Sequence, residues 1–159
     1  MNKKHPAYVY AMDVAEGKIN APKFVKLQVK DFLRIANNKD TRYKIDDNKV
    51  RTIGELLKLL IMPKGLKANS TVHDSMAGFQ WLFIIAIMCT VERDHSEKRR
   101  YENAILEICR KNGKTFLIAV LFILLFFIEP KFSKFYSVAP DGSLSREIKT
   151  AIEEIIRSS

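Results

Sequence analysis

Residues 108–128 read ICRKNGKTFLIAVLFILLFFI, and the predicted fold is built around this stretch. Gly113-Lys114-Thr115 is the ending of the phosphate-binding pattern G-x-x-x-x-G-K-[ST], although Ile108 stands where the opening glycine belongs. The thirteen residues from Phe116 to Ile128 are all apolar. A phosphate-binding loop lies between a buried strand and the N-terminus of a helix, so the flanking segments decide whether the tripeptide is more than a coincidence.

The flanking segments predict a strand, a helix, a strand and a helix. Residues 104–109, AILEIC, are apolar and rich in strand-forming residues, which favours a buried strand. An apolar helix over 115–128 ends at Glu129-Pro130, and KFYSVA at 134–139 reads as a second strand. A last helix follows, capped by Ser143 or Ser145 and carrying one apolar stripe. This order predicts an α/β fold with a right-handed parallel βαβ unit.

The first half of the chain predicts helices and loops. Residues 6–20 look loosely ordered, and 25–35 alternate apolar and basic residues as an amphipathic helix does. A polar loop over 36–51 precedes Thr52 to Glu55, whose spacing suits a capping box that starts a helix. Asp74 or Ser75 would cap the next, mostly apolar helix. We therefore expect a basic, mainly helical region over 1–74 and the first part of a nucleotide-binding domain over 75–159.

The net charge of +9 is concentrated near the N-terminus. Residues 1–70 contain 15 Lys+Arg and 7 Asp+Glu, whereas residues 71–159 contain 12 and 11. A basic surface attracts polyanions because binding releases counterions, so nucleic acid is a candidate partner. The alternative is a lysine-rich face that only keeps the protein in solution.

Several other classes of protein are disfavoured. As a helix, 116–128 would span about 20 Å against a hydrocarbon core of about 30 Å, which favours a buried core helix over a membrane span. No signal peptide is visible, and two cysteines suggest a reducing cytoplasm. Cys109 is expected to be a small buried thiol at the end of a strand. The cysteines and histidines show no zinc-ligand spacing, and the adjacent acids Asp46-Asp47 and Glu153-Glu154 are expected to be solvated.

The loop from Arg110 to Thr115 has the chemistry that a phosphate requires. Gly113 leaves the backbone N–H groups open to an anion, and Lys114 can neutralise β- and γ-phosphates. The Thr115 hydroxyl can bind Mg²⁺. Arg110 and Lys111 add two positive charges to the same turn, and crowded cations repel each other unless an anion is bound.

Together with its flanking segments, ICRKNGKT at 108–115 resembles the variant Walker A motif of tailed-phage terminase large subunits, the ATPases that pump DNA into capsids. In that family R-K-N-G-K-[ST] without an opening glycine is familiar. HPAYVYAMDVAEGKINAPKFVKLQVKDFL at 5–33 is similar to the family's N-terminal segment, and FQW at 79–81 resembles its adenine-binding motif. FYSVAPDGSLSREIKTAIEEI at 135–155 looks like the strand and helix after the loop. The resemblance covers nearly the whole chain.

The resemblance implies a role for each site residue. Lys114 would bind the β- and γ-phosphates of ATP, and Thr115 would hold Mg²⁺. The Asn112 and Gly113 backbone would cradle phosphate, with Lys111 in the same turn, and Arg110 would stabilise the γ-phosphate as a second catalytic residue. Gln80 would read the edge of the adenine, although a polar residue at a helix end is its plain structural alternative. The implied partners are double-stranded DNA, the portal protein, the terminase small subunit and further copies of the chain, in the cytoplasm of a bacterial host and with no membrane.

The sequence also departs from that family. It contains no apolar strand ending in Asp-Glu to complete the Mg²⁺ site and activate water, no coupling motif, and no C-terminal nuclease domain. The expected fold is therefore an incomplete P-loop core with a helical N-terminal extension, which binds nucleotide and hydrolyses little or none. The alternative is a non-catalytic module that binds DNA or protein. The apolar stretch 116–128 is further expected to be partly uncovered and to drive association.

Overall fold

In the computed structural model the described residues are 1–65 and 67–159, without the side chains of Leu144 and Ser145. The chain is mixed α/β and mostly helical, with one two-stranded sheet among these residues. It divides into two compact units. The first unit contains Met1–Thr52 and Met76–Ile105, and the second contains Ile53–Ser75 and Leu106–Ser159. The expected functional division after residue 74 follows different boundaries and stays a prediction.

The elements of the two units alternate along the chain. The first unit contains helices α1 (Pro6–Ala15), α2 (Lys23–Ala36) and α5 (Gly78–Cys89), and strands β1 (Tyr43–Ile45) and β2 (Thr90–Glu92). The second unit contains α4 (Val72–Ser75), α6 (Lys114–Ile128) and α7 (Gly142–Ser158). Helix α3 (Asp47–Leu59) begins in the first unit and ends in the second.

Helix α1 corrects the expectation of loose order over residues 6–20. The His5 ring nitrogen Nδ1 accepts a hydrogen bond from the Ala7 N–H at 3.2 Å, and Pro6 stands at the first helical position, where its missing N–H is not needed. Ala7 and Ala11 are completely buried, because α1 packs against both α2 and α5. The segment carries little periodic signal of its own, and tertiary packing stabilises it.

Helices α1 and α5 approach each other closely at Gly78. A Cβ atom placed there would lie 2.6 Å from the Tyr10 Cβ, so only glycine fits without movement of the helices. Trp81, one turn further along α5, is buried and meets the His5 ring edge to face at a centroid distance of 4.9 Å. The apolar helix predicted after residue 75 is thus present, but it begins at Gly78 and no Asp or Ser caps it.

The sheet of the first unit is held at its start by Asp40. Strands β1 and β2 pair antiparallel, with Lys44 opposite Val91. The buried Asp40 carboxylate accepts hydrogen bonds from the Tyr43 N–H at 2.7 Å and the Arg42 N–H at 2.8 Å, and it forms an ion pair with Arg34. These donors lower the pKa of Asp40 below its usual value, and the Tyr43 N–H makes the largest contribution.

Helix α3 begins earlier than the capping box at Thr52 predicts. The Asp46 carboxylate accepts hydrogen bonds from the N–H groups of Asn48 at 2.9 Å and Lys49 at 3.1 Å, which caps the helix at its true start. Asp46 is therefore a cap rather than only a solvated charge. Thr52 lies inside the helix.

The second unit is built around α6 and α7, which pack against each other. One side of α6 is buried through Leu117, Ala119, Val120, Ile123 and Leu124, and Ile155 of α7 is buried as well. A short hairpin returns the chain from α3 to α4 through a bridge between Ile61 and Thr71. Phe126 and Phe127 are exposed at the end of α6, as expected for a partly uncovered apolar helix. Among the described residues, no helix is both long enough and apolar enough to cross a membrane.

Neither segment that predicts a parallel strand is a strand in the structure. Residues 104–109 and 134–139 have no regular secondary structure. They are not buried either, since Ile105 is 93% and Val138 is 92% exposed. An apolar, β-branched segment becomes a strand only where a neighbouring strand pairs with its N–H and C=O groups, and no described segment does so here. The helices of the predicted βαβ order are present, and the P-loop core itself stays a prediction.

Candidate functional site

The loop before α6 has the backbone of an anion-binding turn. Gly113 immediately precedes α6 with φ of 74°, in the left-handed region. Lys111, two residues earlier, also lies there with φ of 66°. The left-handed backbone conformation costs a lysine roughly 1–2 kcal/mol of free energy relative to the right-handed one. The first N–H groups of α6 have no acceptor within the helix, and with the helix dipole they favour negative charge at this turn.

Side chains of the loop stabilise this turn. The Lys114 ammonium donates a hydrogen bond to the Ile108 carbonyl at 2.8 Å. The Asn112 amide donates to the carbonyls of Cys109 and Arg110 at 3.3 and 3.4 Å. Lys114 thus folds back across the loop, with its charge next to the turn that would hold a phosphate.

A cavity of about 680 Å³ lies beside this loop, wholly within the second unit. Small-molecule sites typically measure about 300–1,000 Å³. Three parts of the unit line it: the loop and the first residues of α6, the hairpin near Lys64, and one face of α7. The lining residues include Arg110, Lys111, Gly113, Lys114, Thr115, Lys64, Ser143, Arg146, Glu147, Thr150 and Glu154.

The charged side chains around the cavity are predominantly basic. Five are cationic and two, Glu147 and Glu154, are acidic. Glu154 is already paired with Lys64 at 2.7 Å. Within the described part of the chain, Arg110, Lys111 and Arg146 form no ion pair. A group of cations that lacks acidic partners around one cavity is suited to bind an anion.

The structure brings together in one turn the residues predicted for phosphate binding. Arg110 to Thr115 form one turn in the second unit, whereas Gln80 belongs to the first unit. The Gln80 side-chain oxygen accepts a hydrogen bond from the Ala77 N–H at 2.9 Å, and the side chain is buried. Gln80 therefore has a structural role at the start of α5, and its role as an adenine reader stays a prediction.

The cysteines differ from expectation. Cys109 is exposed rather than buried, because residues 104–109, which were expected to form a buried strand ending at Cys109, are not a strand. Cys89, in α5, is the buried thiol, and burial raises its pKa to about 12. No group of three His, Cys, Asp or Glu side chains among the described residues could hold a metal ion.

No protein-family model, curated protein or solved structure matches the chain. The geometry of the second unit therefore carries the functional argument. Two of the five cations of the cavity, Lys64 and Arg146, were not predicted from the sequence. Lys64 lies in a Pro-Lys-Gly turn that reads as a helix end, and Arg146 lies in a helix with an ordinary amphipathic pattern. Neither position carries a local signal of a binding site.

Proposed function

We propose that the second unit binds the phosphates of ATP with Mg²⁺, as the N-terminal ATP-binding part of a phage terminase large subunit. The observation that carries this proposal is the cationic cavity beside the Gly113 turn, where Lys114 begins α6. The full protein would couple ATP hydrolysis to packaging of double-stranded DNA. It would work in the cytoplasm of a bacterial host with the portal protein, the small subunit and copies of itself.

In this proposal each residue of the turn has one task. The backbone N–H groups near Asn112 and Gly113 donate hydrogen bonds to phosphate oxygens. Lys114 leaves the Ile108 carbonyl, which costs one hydrogen bond, and pairs with the β- and γ-phosphates. Arg110 and Lys111 neutralise the outer phosphate oxygens. Bound Mg²⁺ would neutralise further phosphate charge, and the Thr115 hydroxyl is the side chain suited to hold it.

The chain is expected to bind nucleotide and to hydrolyse little of it. Hydrolysis requires an activated water and a completed Mg²⁺ shell, which carboxylates usually provide. The sequence has no apolar strand that ends in Asp-Glu. The phosphate-holding residues are therefore present without the residues that would activate water.

Nucleotide affinity tests the assignment. Isothermal titration of MgATP into the 159-residue chain and its Lys114→Ala variant should show a loss of about tenfold or more, because one charge-assisted interaction contributes roughly 1.5–3 kcal/mol. Lys131→Ala is the control, since Lys131 is an exposed lysine of the same unit that does not line the cavity. Equal affinity in the Lys114 variant and the wild type would refute the site.

A second candidate function, a DNA-binding module, is supported by α2. Lys23, Lys26 and Lys30 are exposed in that helix, and within the described residues they form no ion pair. The first unit as a whole has 16 Lys+Arg and 10 Asp+Glu. Spacings of three and four residues place the three lysines on one side of the helix, a suitable surface for a phosphate backbone.

Salt dependence distinguishes this second function from the first. If α2 binds DNA, changing the three lysines to glutamate weakens duplex binding and lowers the slope of log K against log salt by about one for each lost phosphate contact. The binding would also be insensitive to ATP. Absence of duplex binding by the wild-type chain at low salt would exclude this candidate in its simplest form.

A further inference from the structure

We propose that Arg146 of α7 is a phosphate-binding residue of this cavity, and that the cavity takes a polyphosphate chain rather than one phosphate group. The proposal rests on the proposed function for the position of the first phosphate. Beyond that function, it adds a phosphate-binding residue outside the Arg110–Thr115 loop. It also predicts that affinity depends on the number of phosphates in the ligand.

Arg146 lies on the face of α7 that lines the cavity. Seven residues of α7 line the cavity, and their spacings of three and one place them along a single helix face; they are Ser143, Arg146, Glu147, Thr150, Ala151, Glu154 and Ile155. Arg146 is the only cation among these seven residues. It therefore supplies positive charge from an element of the cavity that is separate from the Arg110–Thr115 turn.

The guanidinium of Arg146 is available to a ligand. Arg146 forms no hydrogen bond or ion pair within the described residues, whereas the Lys64 ammonium is held by Glu154 at 2.7 Å. The guanidinium thus keeps all its donors available in a fork that matches phosphate oxygens. The N-terminus of α7 itself is already used, because the Asp141 carboxylate accepts a hydrogen bond from the Ser143 N–H at 2.8 Å. Arg146 therefore acts through its side chain and not through the terminus of the helix.

These observations set the chemical class of the ligand. A single phosphate at the Gly113 turn is satisfied by the loop, whereas a linear polyphosphate extends into the cavity that α7 lines. Glu147, the neighbour of Arg146, lines the same cavity and repels an anion, whereas Glu154, the other acid of α7 in the lining, is paired with Lys64. Arg146 should therefore contribute to triphosphate binding and contribute little to orthophosphate binding.

The test compares inorganic tripolyphosphate with orthophosphate at constant ionic strength, using the whole chain and titration calorimetry. Arg146→Ala should weaken tripolyphosphate binding about tenfold, the factor expected from losing one charge-assisted contact, and leave orthophosphate binding almost unchanged. Arg157→Ala is the matched control, because Arg157 lies in the last turn of the same helix and does not line the cavity. Arg146→Lys, which keeps the charge, should recover part of the loss.

The outcomes separate this inference from the proposed function. If Arg146→Ala binds tripolyphosphate as well as the wild type does, while Lys114→Ala does not, the inference is wrong and the phosphate loop stands. If Arg146 matters for tripolyphosphate but MgATP does not bind better than tripolyphosphate, the inference stands and the nucleotide function fails. If the wild-type protein binds neither tripolyphosphate nor MgATP, both fail. Circular dichroism of each variant excludes unfolding as the cause of a loss.

Discussion

The close approach of α1 and α5 at Gly78 can be tested with a single methyl group. In Gly78→Ala the new Cβ would lie 2.6 Å from the Tyr10 Cβ and 3.4 Å from the Pro6 carbonyl oxygen. The Tyr10 Cβ is fixed to the backbone of α1, so a change of its side-chain rotamer cannot move it away. The two helices must separate instead, which disturbs the buried contacts of Trp81 and Ala7.

The expected cost follows from overpacking. Insertion of a methyl group into a close-packed contact costs roughly 1–3 kcal/mol. Alanine has a higher helix propensity than glycine, but Gly78 is the first residue of α5, so that gain is small here. At about 2–4 °C for each kcal/mol in a chain of this size, the midpoint of thermal unfolding should fall by about 2–12 °C.

Gly54→Ala is the control because it should act in the opposite direction. Gly54 lies inside α3, and a Cβ there would meet nothing within 4 Å. Replacing a helical glycine by alanine stabilises by roughly 0.5–1 kcal/mol, so this variant should unfold at a slightly higher temperature. Circular dichroism melts of both variants measure the difference. An unchanged or raised midpoint in Gly78→Ala would show that the helices are not in the close contact described here.

Three further predictions concern charge, thiols and the apolar surface. Because the folded-state pKa of Asp40 is lowered, its stabilising contribution is present above its unfolded pKa of about 3.9 and is lost as the pH falls through the folded pKa. Asp40→Asn should therefore be less stable than wild type at neutral pH, with the difference shrinking in denaturant titrations at lower pH; a constant difference would contradict this. Native protein should react with a thiol reagent at one site, Cys109, and unfolded protein at two, because Cys89 is buried; two fast thiols in the native protein would disprove that burial. Phe127 and Val138 are exposed, so replacing both by serine should reduce self-association in light scattering, whereas a wild-type chain that stays monomeric at high concentration would refute the expectation.

The loop and the helix after it illustrate what can be predicted locally. The glycine before α6, the apolar run that follows and the amphipathic stripe of α7 are set by residues that are close in sequence. The turn before α6 accordingly lies where the sequence predicts it, and the structure adds that Gly113 is left-handed there. Residues 104–109 show the limit of the same reasoning, because their composition indicates a strand but cannot provide a neighbouring strand.

Local patterns were enough to predict helices α2, α6 and α7 and the glycine turn before α6, since periodicity and turn chemistry act over a few residues. The helix over residues 6–15 instead depends on packing, because its burial against α5 involves residues more than sixty positions away. The tertiary structure also decided which thiol is buried and that Arg146 and Lys64 line the same cavity as Lys114. Such associations depend on packing between distant segments, and no local pattern of residues encodes them.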